Sequence, residues 1–122
     1  MHLLIVILTC LIAIEHLGIM GIEMFASDQT KANAFDMPLN FVGLPNAKVA
    51  LGNQGIYNGM LGVTILMANL LFSGQTLMTV LSLLMLYIVI VALYGTFTAT
   101  KKIFFLQCLP ALITLLLILF FK

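Results

Sequence analysis

The sequence predicts an all-α membrane protein, an antiparallel bundle of four transmembrane helices. Three observations carry that expectation. Of the 122 residues, 63% are hydrophobic and only 7% charged, whereas a soluble domain carries about 25% charged residues. Too few polar side chains remain to cover a surface in water, so the lipid bilayer is the implied partner. Next, residues 3–25, 50–72, 77–99 and 103–121 each supply the roughly 20 mostly apolar residues that a spanning helix needs. Last, the joints SGQT and TKK are so short that the helices they link must fold back as antiparallel neighbours. The chain reads as a single domain without internal repeats. Its one sizeable loop, residues 26–49, holds Asp28, Lys31, Asp36 and Lys48 together with Pro38 and Pro45, and is expected to lie along the membrane surface.

The few charges set orientation and exclude partners. Five Lys, no Arg and four acids give a net charge of +1. No cluster of cations exists to displace the counterions of a nucleic acid, so that partner class is excluded. Lys31, Lys48, Lys101 and Lys102 fall on one side, opposed by Lys122 and the terminal amine. Lysine bias therefore puts the four-lysine side in the cytoplasm and both termini outside a bacterial plasma membrane. The first apolar run lacks a basic n-region and continues past a normal h-region, which marks a retained helix in place of a secretion signal. Cys10 and Cys108 lie within apolar segments and read as small buried hydrophobes. They offer neither a disulfide nor zinc spacing, and no cofactor is implied.

Helix one contains AIEHLGIMGIEMF, three ionisable groups where hydrocarbon is expected. Each helical residue advances by 100°, so His16 and Glu23 point within about 20° of each other. Thr9, Ile12 and Ile19 share that stripe, Glu15 sits at its edge, and Gly18 and Gly21 lie opposite. An isolated charge at mid-bilayer costs about 2.5 to 3.5 kcal/mol on insertion scales. Both glutamates are therefore expected to stay protonated, pair with His16, or accept hydrogen bonds from Asn53, Gln54, Asn58 or Tyr94. Intramembrane acid beside imidazole marks a functional site by default; a buried structural network is the plainer alternative.

Helix two opens with LGNQGIYNGMLG. Asn53, Gln54, Tyr57 and Asn58 occupy one broad face, while Gly52, Gly55, Gly59 and Gly62 form a small-residue seam that lets helix backbones approach closely. The amides carry donors and acceptors that need partners, from a ligand, from water or from a neighbouring helix. Helix three aligns Tyr87, Tyr94 and Thr98, with Gly95 beside them. Helix four aligns Gln107, Ala111 and Thr114, and Pro110 cannot donate to the Leu106 carbonyl. By depth, Glu23, Asn53, Gln54, Tyr94 and Gln107 share the inner half, whereas outer stretches such as LIVIL and LLLILFF are almost purely apolar. The expected result is a polar pocket opening toward the cytoplasm beneath an apolar plug.

Three motifs, EHLGIMGIEMF, NQGIYNG and YGTFTATKKIFFLQCLPA, resemble the domain-of-unknown-function-1304 family of small bacterial integral membrane proteins, over essentially the whole chain. The resemblance implies a four-helix membrane protein and marks Glu15, His16, Glu23, Asn53, Gln54, Tyr57, Asn58, Tyr94, Gln107 and Pro110 as matching positions. It brings no activity, substrate or catalytic residue. The family's loop after helix one is often richer in basic residues than Lys31 and Lys48 make it here.

The function expected first is small-molecule binding or proton-linked transport of a small polar or amphipathic solute, with Glu15, His16 and Glu23 moving protons. Four helices leave little room for a full pathway, so a homodimer joined at the glycine seams is expected with it. The alternatives are an intramembrane acid/base enzyme, isomerase-like, on a lipid-like substrate, and a non-catalytic subunit of a membrane complex. No metal site is expected, because Glu15, His16 and Glu23 supply at most three ligands on different sides of one helix.

Overall fold

Helix α1 (His2–Phe25) is an apolar rod that stops where Ala26 turns extended and returns its N–H to the Ile22 carbonyl. The computed structural model describes residues 1–121; Lys122, counted above in the orientation argument, lies outside the described residues. Helix α2 (Asp28–Phe35) follows at once. Ser27 accepts the Thr30 backbone N–H at 3.2 Å as an N-cap, and Asp28 places negative charge on the first turn, where the helix dipole favours it. It ends at Asp36, whose φ of 52° is the left-handed conformation common just past a helix. A single turn, α3 (Leu39–Val42), leads into α4 (Pro45–Leu71).

Two expectations are corrected here. The segment read as a loop, residues 26–49, is mostly helical, and the second long helix begins at Pro45 instead of residue 50. Pro45 sits at the first helical position, where its fixed φ suits the helix and its missing N–H would have had no partner. Charge content concealed both, since Lys48 sits in the first turn of α4 and forms an ion pair of 3.1 Å with Asp28 of α2.

Ser73 and Gly74, the latter at φ 56°, turn the chain into α5 (Gly74–Thr98). After a short joint, Phe104–Cys108 form a π-helical turn that runs into α6 (Leu109–Phe121). The Leu109 N–H reaches back five residues to the Phe104 carbonyl. Pro110 has no N–H to hold an α-helical register at this point, and the turn before it winds one residue wider.

All regular structure among the described residues is helical. Three helices, α1, α5 and Phe104–Phe121, are long and apolar enough to cross a membrane. Helix α4 is the longest at 27 residues, about 40 Å at 1.5 Å per residue. Its amides and glycines leave it less apolar than the other three. The outward faces carry large apolar side chains, including Leu70, Phe97 and Phe120 at 83%, 85% and 79% exposure. A water-soluble monomer does not present apolar surface on that scale.

The long helices associate as two antiparallel pairs. Helix α1 lies along α4, with Glu23 meeting Asn58 at one end and Thr9 meeting Asn69 at the other. Helix α5 lies along α6 and the π turn, with Val89 opposite Cys108 and Gly95 opposite Ile103. Helix α1 also touches α6, so Ile5, Ile12, Ile65, Leu81, Met85 and Ile118 join one core between the pairs. Gly55, Gly59 and Gly62 are buried against α1. A Cβ on Gly62 would stand 2.6 Å from the Ala13 carbonyl oxygen, whereas one on Gly52 would meet nothing within 4 Å. The glycine seam expected to hold a second copy is thus occupied inside the chain by α1, except at Gly52.

Candidate functional site

Where the two pairs diverge they border an open-sided cavity of about 650 Å³. Helix α1 contributes Glu15, His16 and Glu23; α4 contributes Gln54, Tyr57 and Asn58; α5 contributes Tyr87 and Tyr94; and the π turn contributes Gln107. Periodicity explains the first set, because the buried stripe of α1 runs through Ile5, Thr9, Ile12, His16 and Glu23 at helical spacing. Asn53 is not on the wall; it is exposed on α4. Tyr87 shares the stripe of Tyr94 and joins it in the lining, although the sequence reading left it off the site.

The ionisable groups are held in three different ways. Glu23, 1% exposed, accepts a 2.8 Å hydrogen bond at Oε2 from the Asn58 amide. His16, also 1% exposed, is placed with Nδ1 2.9 Å from the Ile12 carbonyl. Since that carbonyl can only accept, Nδ1 carries the hydrogen, and in the neutral form of the ring Nε2 is the acceptor. Glu15 has no such partner: its Oε1 is buried without a hydrogen bond. Of the donors expected for the carboxyls, Asn58 is the one the structure brings into bonding distance, while Gln54 and Tyr94 stand elsewhere on the wall. Tyr57 and Tyr94 are 71% and 73% exposed and form part of the rim.

One end of the cavity is bounded by Ala34 and Phe35 of α2 with Thr100 and Lys102 of the joint after α5. These parts are strapped together at Asp36. The Thr100 hydroxyl donates to its Oδ2, and the Lys102 ammonium donates to its Oδ1 at 2.8 Å and to the Asn33 carbonyl at 2.8 Å. Lys102 and the Thr100 hydroxyl hold the Asp36 carboxyl below its ordinary range. Nothing at the sequence level links residue 36 to residue 102, so this strap was not legible.

The half of the bundle away from this strap, expected to be almost purely apolar, carries polar contacts of its own. Asn69 of α4 donates to the Thr9 hydroxyl at 3.2 Å and to the Ile65 carbonyl at 3.0 Å. Asn69 lies seven residues beyond Gly62, on the same helix face, a spacing that would have revealed it. Among the described residues, no group of three or more His, Cys, Asp or Glu is placed to hold a metal ion. Cys108 is buried and Cys10 half-buried, both as free thiols. Chemically the cavity offers two carboxyls and an imidazole beside a space large enough for a small molecule, flanked by phenol rings and amides.

No solved structure matches the chain. The uncharacterized protein YpaA of Lactococcus lactis subsp. lactis (strain IL1403) is 38% identical over 108 residues, which cover 88% of this chain and 89% of that relative. Residues 10–119 match the family described as protein of unknown function (DUF1304). Every residue of the cavity wall falls inside that match, and the chain belongs to the DUF1304 family.

Proposed function

We propose that this chain is a four-span protein of a bacterial plasma membrane that binds a small polar or amphipathic solute in its cavity and links the solute's passage to proton movement. The observation that carries the reading is the cavity itself, in which Glu15, His16 and Glu23 all border one space of about 650 Å³. Ligand sites fall in the range of about 300 to 1,000 Å³, imidazole exchanges protons near neutrality, and carboxyls are the usual partners in intramembrane proton relays. In this reading α4 spans with the other three helices. Lys31, Lys48, Lys101 and Lys102 face the cytoplasm, and both termini lie outside. A complete pathway requires a second copy of the chain, and because α1 covers Gly55, Gly59 and Gly62, that copy meets a different face.

The test is a thermal-shift panel of small amines, carboxylic acids, alcohols and sugars on purified protein in lipid nanodiscs. At least one class stabilises the protein to a degree that changes with pH, and replacing both Glu15 and Glu23 by Gln abolishes the change. Val91→Trp, which places a large side chain on the cavity wall at an exposed position, abolishes the stabilisation. Silence across the panel, or stabilisation indifferent to Val91→Trp, contradicts the reading.

The His16 geometry favours a second reading, an intramembrane acid/base enzyme. An imidazole whose Nδ1 is tied to backbone presents Nε2 toward a substrate as a general base, with a carboxyl nearby as the acid. Solvent-deuterium incorporation into a lipid extract, lost in His16→Gln, distinguishes it.

A further inference from the structure

Resting on the binding reading above, we propose that the cavity's ligand is an amphipathic organic cation, an amine or quaternary ammonium with an apolar body, held at Glu15. The argument starts from the charges around the space. Its titratable groups are Glu15, His16 and Glu23 of α1, Tyr57 of α4, Tyr87 and Tyr94 of α5, and Lys102 of the joint beyond α5. The sole cation among them, Lys102, is paired with Asp36 at 2.8 Å. Lys31 of α2 is buried, but it does not line the cavity and makes no ion pair among the described residues. The two carboxyls therefore face a space with no cation of the protein's own to balance them. An anion entering would meet them unopposed.

The hydrogen bonds separate the two acids. Glu23 already has the Asn58 amide, and His16 has the Ile12 carbonyl. Glu15 borders the cavity with a buried oxygen that has no donor. A buried polar group left without a partner is expensive, and a ligand that brings positive charge or N–H donors supplies what Glu15 lacks. The remaining wall suits the rest of such a molecule. Ile19, Ile22, Leu61 and Leu106 offer hydrocarbon contact, and the faces of phenol rings attract cations held within about 6 Å. Proton and ligand compete for the same carboxyl, because a proton on Glu15 removes the attraction, so acidification releases the cation.

All three tyrosines of the chain line the cavity and the chain has no tryptophan, which makes intrinsic fluorescence a reporter of this one place. Energy transfer from tyrosine to a naphthalene ring reads binding directly. Three probes sharing that ring are titrated into the full chain in nanodiscs: (1-naphthylmethyl)trimethylammonium, 1-naphthylmethanol and 1-naphthylmethanesulfonate. The ammonium binds at least about tenfold more tightly than the other two, equal to about 1.4 kcal/mol. Its affinity falls on mild acidification, although the probe itself cannot lose a proton. Glu15→Gln, checked for an unchanged melting transition, removes both the preference and its pH dependence; the comparison among probes on the unaltered chain stands without any variant. Equal binding of all three overturns the cation assignment and leaves the cavity a binding site. Failure of all three to bind overturns the binding reading as well.

Discussion

Asn58 gives Glu23 a hydrogen bond that Glu15 does not receive, and one amide thereby divides two acids on the same helix into a held group and a free one. Replacing Asn58 by Leu leaves the Glu23 carboxyl buried without its donor, a loss of about 1 to 3 kcal/mol. Combining it with Glu23→Leu recovers most of that stability, since removing both partners leaves no unsatisfied polar group. Chemical denaturation in detergent, run as a double-mutant cycle, measures both. The facing of His16 and Glu23 was legible because helical spacing alone decides it. Which amide would reach Glu23 was not, because that depends on how far α4 slides along α1. The slide is set where Gly55, Gly59 and Gly62 accept Met20, Met24 and Ala13, a fit between two surfaces invisible in either sequence segment.

Those contacts give the α1–α4 pair a graded sensitivity along its length. A Cβ at Gly52 meets open space, and Gly52→Ala is neutral or stabilising by up to about 1 kcal/mol through helix propensity. At Gly59 the obstacle is the flexible Met20 side chain, which can turn aside. At Gly62 it is the Ala13 backbone carbonyl, 2.6 Å away, which cannot. Gly62→Ala is therefore the most damaging, by about 1 to 3 kcal/mol as an overpacking change. Melting temperatures of the three variants should fall in the order Gly52, Gly59, Gly62. The strap between α2 and the joint after α5 behaves differently, because it is electrostatic and solvent-facing. Asp36 is held below its ordinary range, so its pairing is present at all pH values above about 4 and is lost only as the pH falls through the lower, folded value. The protection of α2 amides relative to their intrinsic exchange at each pH should thus be constant from neutral to mildly acidic pH. It should be lower across that whole range in Asp36→Asn, which takes the charge from the Lys102 partner. The long helices announced themselves by apolar length, whereas α2 and the start of α4 were hidden because local caps, Ser27 and Pro45, build them without any apolar run.

For the whole molecule, the dominant fact is an inside-out distribution of polarity. Large apolar side chains cover the exterior, while His16, Glu23, Thr9 and Thr114 are buried. That inversion was readable from composition alone, and it is why an all-helical architecture could be expected before any helix was located. The orientation proposed from the lysines has a direct check. Alkaline phosphatase fused after the last residue is active when that terminus lies outside, and green fluorescent protein fused there is dark; the reverse pattern inverts the topology. The π turn at Phe104–Cys108 gives the final long helix one unusual freedom. Elsewhere in a span, excising a residue rotates everything beyond it by about 100° and would swing Ala111, Thr114 and Ile118 out of the core. Within these five residues the helix already stores one residue of slack, so deleting the exposed Phe105 lets the backbone relax to ordinary winding with the downstream register intact.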